Sequence, residues 1–372
     1  MWEKLSQVSI VLEIIASLKT LLASLKWIIP ILSRRKAVFW FEKLRKNPSE
    51  EERKKAIEAL VKICKKSVSR EQQAIIRKYI ETLNPREDSG LREAVAIAMG
   101  IIGKHSVIPL IDEYENNSSA DKEFIEIAFR EMKGNKDAKE ELLRLLNDRN
   151  DWQHRHGAII ALGEINEISV LDDLIRIVNI DAQPEVKAEA IRVIGEFRDV
   201  QAIPCLLERI KDENEVFQMK INAVEALETI GDSRNEVVAI LTEEAEKEST
   251  THNVRLRAIK ALGEMKAYSA SSSLINLLNN ESIDIQKASI KSLCQICNFD
   301  ALIGPLRDKA LNHNNFEIRE ACIDAFKEKE KNLSEVREIL EEVMIKDPQK
   351  LIRDLAFDVL SYIKDIKKKK MG

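Results

Sequence analysis

The stretch that decides the fold is RHGAIIALG, at residues 155–163. A similar stretch, RLRAIKALG, stands at residues 255–263, and more distant copies are KAEAIRVIG from Lys187 and REACIDAFK from Arg319. Each copy has a basic residue followed three positions later by an anchor residue that is usually small. Ten anchors follow one another along the chain at intervals of 30 to 39 residues, at Ala56, Val95, Ile125, Ala158, Ala190, Ala223, Ala258, Ser289, Cys322 and Ala356. This period is typical of a helical repeat array.

The columns around the anchor predict an amphipathic helix in every copy. The fourth residue after the anchor is apolar in all ten copies, and the third is small or β-branched. Apolar residues at offsets 0, 3, 4 and 7 form the buried stripe of an α-helix. A second segment with its own Leu and Ile stripe lies between successive anchors, and we expect Pro109, Pro204 and Pro305 to open three such segments. Each repeat is therefore predicted to be a pair of helices.

The pattern of a basic residue, an anchor, Ala, Leu and often Gly, followed by a Leu-rich helix, resembles the HEAT-like repeats of phycobilisome-lyase type. The resemblance runs from about Arg53 to Ile363. It implies an all-α fold, a right-handed α-solenoid of about ten helix pairs, preceded here by a separate hydrophobic N-terminal helix. We expect a helical extension at 1–42, the solenoid at 43–363 and a basic tail at 364–372. The family includes scaffolds, adaptors, chromophore lyases and DNA-repair glycosylases, so the fold alone leaves the function open.

Composition and motifs limit the functions. The chain has 59 Lys and Arg against 63 Asp and Glu, with a net charge of −4, so nothing draws the whole protein toward nucleic acid. It contains neither a Gly-rich phosphate loop nor an HExxH or paired CxxC motif. We therefore expect no catalytic residues, cofactor or metal. The sequence also predicts that all five cysteines are reduced, as in an intracellular protein, and they are Cys64, Cys205, Cys294, Cys297 and Cys322.

The basic column three residues before the anchor has two interpretations. A ladder of cations could bind phosphates, but in repeats of this kind such residues more often bond to the preceding turn and join neighbouring repeats. We favour the structural role. The column consists of Arg53, Arg92, Lys122, Arg155, Lys187, Lys220, Arg255, Arg319 and Arg353, and Gln286 interrupts it.

Candidate partner-binding residues lie two positions after the anchor, away from the core stripe. An aliphatic row there would form an exposed patch, although ordinary burial is the alternative. Trp152 stands at a loop junction, just before the helix predicted to carry Ile160, and suits an interface or a cap. His154 and His156 are two positions apart, which does not fit metal ligands on a helix. The predicted binding residues are Ile97, Ile127, Ile160, Trp152, Arg192, Lys260 and Lys291.

The N-terminal segment does not follow the repeat. Residues 8–32 are strongly apolar but contain Glu13, Lys19 and Lys26, and a basic cluster follows. The segment suits a transmembrane span, a helix lying on the membrane, or a helix that packs on a partner or a second copy. Its apolar seam comprises Val11, Ile14, Leu18, Leu21, Leu25, Ile28 and Leu32, with Trp27 beside it.

These observations favour a non-enzymatic scaffold or adaptor in the cytoplasm that binds a protein partner. The N-terminal helix would then serve docking, self-association or membrane contact. The resemblance also allows a chromophore lyase or lyase-chaperone. Nucleic-acid binding is a weaker alternative, because basic residues at the candidate binding positions have acidic neighbours one turn away, as in Arg192 with Glu196.

Overall fold

The computed structural model describes residues 36–46, 48–65, 69–83, 87–116, 122–296, 299–327 and 333–371. The predicted N-terminal helix, with Trp27 and the seam from Val11 to Leu32, lies outside these residues, as does Cys297. The described part of the chain contains α-helices and short 3-10 turns and no β-strand. The all-helical fold class is therefore confirmed.

A short helix, α1, spans residues 36–44 and precedes the repeats. All ten anchors then lie in what we call the first helices of the repeats. These are α2 (Glu50–Lys65), α4 (Ser89–Ile102), α6 (Lys122–Arg130), α8 (Trp152–Glu164), α10 (Pro184–Phe197), α12 (Phe217–Ile230), α14 (His252–Glu264), α16 (Ile283–Ile296), α18 (Phe316–Lys327) and α20 (Lys350–Met371).

A second helix follows each of the first nine, which gives the predicted helix pairs. These second helices are α3 (Ser69–Thr82), α5 (Lys104–Asn116), α7 (Lys136–Leu146), α9 (Leu171–Ile180), α11 (Ile203–Lys211), α13 (Asn235–Glu246), α15 (Ser271–Leu277), α17 (Phe299–Asn312) and α19 (Leu333–Lys346). Pro204 is the second residue of α11, as predicted. The prediction is wrong for Pro109 and Pro305, which lie inside α5 and α17 because these helices begin more than a turn earlier.

The chain forms two compact units, and in each the helices pack in succession. The first unit contains residues up to Val170 and Ala182–Glu189, and the second contains Leu171–Asp181 and the chain from Ala190 onward. In the first unit α2, α4, α6 and α8 pack one on the next, as do α3, α5 and α7. In the second unit the same holds for α12, α14, α16, α18 and α20. First helices packing on first helices is the arrangement of an α-solenoid.

The predicted core stripe is buried. Every one of the ten anchors is at most 1% exposed, and the ten residues four positions later are at most 5% exposed. Nine of the ten residues at offset 3 are also buried, the exception being the half-buried Ala59. The columns of the sequence therefore identified the side of each first helix that carries the core.

Glycines bring neighbouring first helices close together. A Cβ atom added to Gly195 would lie 2.8 Å from the Cα of Ala226, on the next first helix. A Cβ on Gly100 would lie 2.5 Å from the backbone oxygen of Ala128. Both glycines stand five residues after the anchor, so this offset is where the backbones meet and where no side chain fits.

Five first helices stop at a residue with positive φ, eight positions after the anchor. Gly103 and Gly231 both have φ of 75° there, and Asn166, Arg198 and Lys266 have φ of 54°, 53° and 52°. After α14, Lys266 donates its backbone N–H to Gly263 and Ala267 donates to Leu262, each at 3.0 Å. This pair of bonds is a Schellman motif, which satisfies carbonyls that the helix leaves free.

Helices cross both predicted domain boundaries. The α1 helix spans position 42, and its Phe41 ring packs edge-on against Tyr79 of α3 with centroids 5.7 Å apart. The backbone of α20 continues through the predicted tail to Met371. None of the described helices is long and apolar enough to cross a membrane.

Candidate partner-binding surfaces

The basic column bonds back to the end of the preceding second helix. Arg92 Nε donates to the carbonyl oxygen of Leu83 at 2.9 Å, Lys220 Nζ to that of Ile210 at 2.7 Å, and Arg255 Nε to that of Ala245 at 3.0 Å. Arg155 and Arg353 do the same to residues in the loops before their helices. A cation at a helix C-terminus complements the free carbonyls and the helix dipole. These contacts support the structural role over phosphate binding.

Other members of the column use different partners. The Arg53 guanidinium lies 2.9 Å from Glu93 of the next first helix, and Lys122 lies 4.1 Å from the ring centroid of Tyr114. Gln286, where the column is interrupted, still donates from Nε2 to the carbonyl oxygen of Asn280 at 2.5 Å. A neutral amide thus replaces the cation without losing the bond. Lys187 is half-buried.

Arg319 makes the most extensive set of bonds in the column. Its Nη1 donates to the carbonyl oxygen of His313 at 2.8 Å, while Nε and Nη2 donate to the two carboxylate oxygens of Asp347. Asp347 also accepts the backbone N–H of Gln349 at 2.8 Å, and its own carbonyl accepts from Arg353. Arg319 therefore fastens the loop before α18 to the loop before α20.

The predicted aliphatic row does not form an exposed patch. Ile160 is only 3% exposed, so the prediction of exposure is wrong there, while Ile97 and Ile127 are half-buried. The reason lies in α8, which packs on α5, α6 and α7 and has six consecutive buried residues, from Gly157 to Leu162. A helix enclosed on several sides buries more than one stripe, so the helical offset no longer identifies a surface.

Two histidines near Trp152 connect the start of α8 to α5. Trp152 is the first residue of α8 and is 36% exposed, and its ring lies edge-on to that of His156 at 6.3 Å. His156 Nδ1 is 2.8 Å from the Glu115 carboxylate, and His154 Nε2 is 3.2 Å from that of Asp112. Both carboxylates belong to α5. In the described part of the chain, no group of three or more His, Cys, Asp or Glu side chains could hold a metal ion.

The charged candidates are exposed but not alike. Arg192 pairs with Glu196 one turn later, as the sequence suggested. Lys260 and Lys291 are exposed on α14 and α16 of the second unit. The thiols of Cys64, Cys205, Cys294 and Cys322 are buried and form no disulfide. Burial raises the pKa of the Cys64 thiol to about 11 and that of Cys322 to about 12, which keeps both unreactive.

An apolar edge in the second unit was missed in the predicted set of binding residues. Phe217 is 50% exposed and Leu351 is 62% exposed, and both stand at the start of a first helix. The starts of α12, α14, α16, α18 and α20 follow one another because these helices pack in succession. We call this set the amino-terminal edge, and it consists of Val216, Phe217, His252, Ile283, Phe316 and Leu351.

The signal for this edge was present in the sequence. Phe217, His252, Ile283 and Phe316 all stand six residues before their anchors, and Trp152 of the first unit has the same offset. All of the predicted binding residues in the repeats except Trp152 lie two positions after the anchor, on the helix body. The residue that opens a helix has fewer neighbours than one in its middle, so a large apolar side chain there stays in contact with solvent.

The geometry of paired helices and anchor columns agrees with a known repeat family. The family model for HEAT repeats matches residues 171–252 and 238–327. Residues 171–327 match HEAT repeats. No curated protein matches the sequence. The match confirms the predicted HEAT-like repeat, and the anchors at Ala190, Ala223, Ala258, Ser289 and Cys322 lie within the matched residues.

Solved structures with HEAT-like folds are similar to the chain at low identity. The structure of the complex of CpcE and CpcF of phycocyanin lyase from Nostoc sp. PCC7120 is 17% identical, with a TM-score of 0.37 over 61% of this chain and 94% of that one. Kap121p is 13% identical, with a TM-score of 0.48 over 91% of this chain and 46% of its own. Kap95p, from a structure of its binding to RanGDP, is 11% identical, with a TM-score of 0.47 over 85% and 51%. We draw no functional conclusion from these similarities.

Proposed function

We propose that the protein is a non-enzymatic scaffold that binds a protein partner along the amino-terminal edge of the second unit. The observation that carries the proposal is the exposure of large apolar side chains at the starts of α12, α18 and α20. Val216 is 55% exposed next to Phe217, and Phe316 and Leu351 continue the edge on α18 and α20. Aromatic side chains that are exposed in the free protein and become enclosed on association are typical anchors of protein interfaces.

Polar contacts between repeats accompany these apolar side chains. His252 Nε2 lies 3.6 Å from the Asp284 carboxylate, and Lys287 Nζ lies 2.8 Å from that of Glu317. These pairs join α14 to α16 and α16 to α18 in their first turns. The edge therefore combines apolar side chains with charged pairs, as protein interfaces do with their cores and rims.

The experiment compares three full-length proteins in affinity purification with quantitative mass spectrometry. The test variant combines Phe217→Ser with Phe316→Ser, and Ile345→Ser is the matched control. Ile345 is 81% exposed but lies on α19, a second helix, and does not belong to the edge. Loss of two interface anchors should weaken partner recovery by about tenfold or more, since such residues cost over about 1 kcal/mol each.

The outcome is read against thermal unfolding of all three proteins, which should coincide because the substituted side chains are exposed. Equal recovery of every partner by the wild type and the edge variant would overturn the proposal. A loss of the same size in Ile345→Ser would show that the effect is not specific to the edge.

The N-terminal segment keeps its proposed role in docking, self-association or membrane contact. Its test is a comparison of the full chain with a version lacking residues 1–35, by membrane fractionation and by size-exclusion chromatography with light scattering. A shift in either measurement would assign the segment a role in localisation or assembly. Identical behaviour of both versions would remove that role.

A further inference from the structure

A second surface lies in the first unit, at the start of its first three repeats. A cavity of about 390 Å³ opens there between the beginnings of α2, α4 and α6 and the turn that follows α1. It is separate in sequence from the amino-terminal edge, none of whose residues line it. Its volume falls within the range of ligand-binding clefts.

The lining of the cavity carries an excess of negative charge. Among the described residues that line it, there are one arginine, Arg53, and three carboxylates, those of Asp88, Glu93 and Glu123, which gives these residues a net charge of −2. Arg53 is paired with Glu93 at 2.9 Å, and Asp88 accepts the backbone N–H of Leu91 at 3.1 Å. Glu123 is exposed in the first turn of α6 and has no ion pair within the part of the chain that the structure describes.

Apolar side chains line the same cavity beside these charges. Phe124 and Ile127 of α6 are half-buried, and Leu44 of α1 is 2% exposed. The guanidinium of Arg92 lies 4.1 Å from the ring centroid of Phe124, a cation–π contact that holds the ring in place. The apolar side chains are thus fixed before any ligand arrives, which lowers the entropic cost of binding.

We propose that this cavity binds a short segment of a partner protein in which a lysine or arginine stands next to a large apolar side chain. The basic group would lie against Glu123 and Asp88, and the apolar side chain against Phe124 and Ile127. Charge complementarity selects the basic residue, since a negatively charged or neutral segment would leave the excess carboxylates uncompensated. A protein segment suits the cavity because the residues that line it come from three successive repeats.

The experiment selects a phage-displayed library of random twelve-residue peptides against the full-length chain. Enriched peptides are then synthesised and their affinity is measured by fluorescence anisotropy. The test variant is Glu123→Lys, and the matched control is Glu338→Lys. Glu338 is also an exposed glutamate, but it lies on α19 of the second unit.

The proposal requires enrichment of peptides with a basic residue within two positions of Trp, Phe, Leu or Ile. Their affinity should fall by about fivefold or more in Glu123→Lys, weaken with added salt, and stay unchanged in Glu338→Lys. A further variant, Ile127→Ala, should weaken binding without altering the salt dependence.

Enrichment of acidic or purely apolar peptides, or binding that Glu123→Lys leaves intact, would overturn the proposal. The same holds if no peptide is enriched. Because the edge variant Phe217→Ser with Phe316→Ser leaves the cavity untouched, its peptide binding should match the wild type. The two surfaces can therefore fail independently.

Discussion

Arg319 and Asp347 form a buried, two-pronged ion pair, with Nε 2.6 Å from Oδ2 and Nη2 3.1 Å from Oδ1. The two side chains are only 5% and 2% exposed. They lie 28 positions apart in the sequence and join consecutive first-helix starts. The pairs of His156 with Glu115 and of Arg209 with Glu215 are more exposed, at 19% and 11% and at 20% and 13%.

Removing one member of this ion pair should strongly destabilise the fold. Arg319→Gln leaves the Asp347 carboxylate buried without its counter-charge, so the free energy of unfolding should fall by about 3–5 kcal/mol in urea titrations. The exposed pair of Arg337 with Glu341, at 2.6 Å, is the control, and Arg337→Gln should cost under about 1 kcal/mol. Equal effects of the two substitutions would contradict the assigned role of burial.

Arg255 occupies the equivalent position but should tolerate the same substitution. It is 8% exposed, its Nε donates to Ala245, and its Nη2 has no hydrogen-bond partner among the described residues. Gln286 makes the corresponding bond with an amide. Arg255→Gln should therefore lower the free energy of unfolding by no more than about 1 kcal/mol. A loss comparable to that of Arg319→Gln would contradict this prediction.

Glycine at the helix stops should stabilise the protein. Lys266 has φ of 52°, a conformation that costs a residue with a Cβ about 1–2 kcal/mol and costs glycine little. After the entropic penalty of glycine is subtracted, Lys266→Gly should raise the free energy of unfolding by about 0.5 kcal/mol. Lys260→Gly, inside α14, should lower it by about 1 kcal/mol. A loss of stability in Lys266→Gly would contradict the strain assigned to this position.

Two glycines should respond oppositely to alanine. Gly195→Ala places a methyl group 2.8 Å from Ala226 Cα, and the resulting separation of the helices should cost about 1–3 kcal/mol. Gly304 lies within α17, and an added Cβ would meet no atom within 4 Å. Gly304→Ala should stabilise the protein by about 0.5–1 kcal/mol through helix propensity. Thermal unfolding followed by circular dichroism distinguishes the two directions.

Glu167 should make part of the stability depend on pH. A hydrogen bond from Ser169, together with Lys139 at 2.9 Å, lowers the pKa of Glu167 from its ordinary value of 4.5. The unfolded chain therefore takes up the proton more readily, so the contribution is complete above pH 4.5 and is lost as the pH falls through the lower, folded-state pKa. Glu167→Gln should reduce the melting temperature more at pH 6 than at pH 3.5. An equal reduction at both pH values would contradict this.

The core of the repeats could be read from the sequence, whereas their surfaces could not. The columns of the anchor and of the fourth residue after it identified buried residues in every repeat, because burial there follows from one helix face meeting the next. The candidate surface at Ile160 failed because α8 is enclosed by three helices. That enclosure depends on tertiary contacts, which a helical wheel does not contain.

The helix stops show the same difference between local and tertiary information. Gly103 and Gly231 are recognisable stop signals, but Arg198 and Lys266 also have positive φ at the same offset without a glycine. In the sequence, these two residues are marked only by their position, eight residues after the anchor. The cavity at Glu123 and Phe124 likewise depends on which residues of three repeats lie together. In the sequence, each of these residues only indicates an ordinary start of a helix.

Several repeats share two local contacts at their junctions: a basic or amide side chain bonded to the end of the previous helix or its loop, and a stop with positive φ eight residues after the anchor. Removing or duplicating one period in register would replace a junction by another of the same kind. Unequal recombination within the gene could therefore lengthen or shorten this protein by whole repeats. The number of repeats can then change during evolution without new contacts between them.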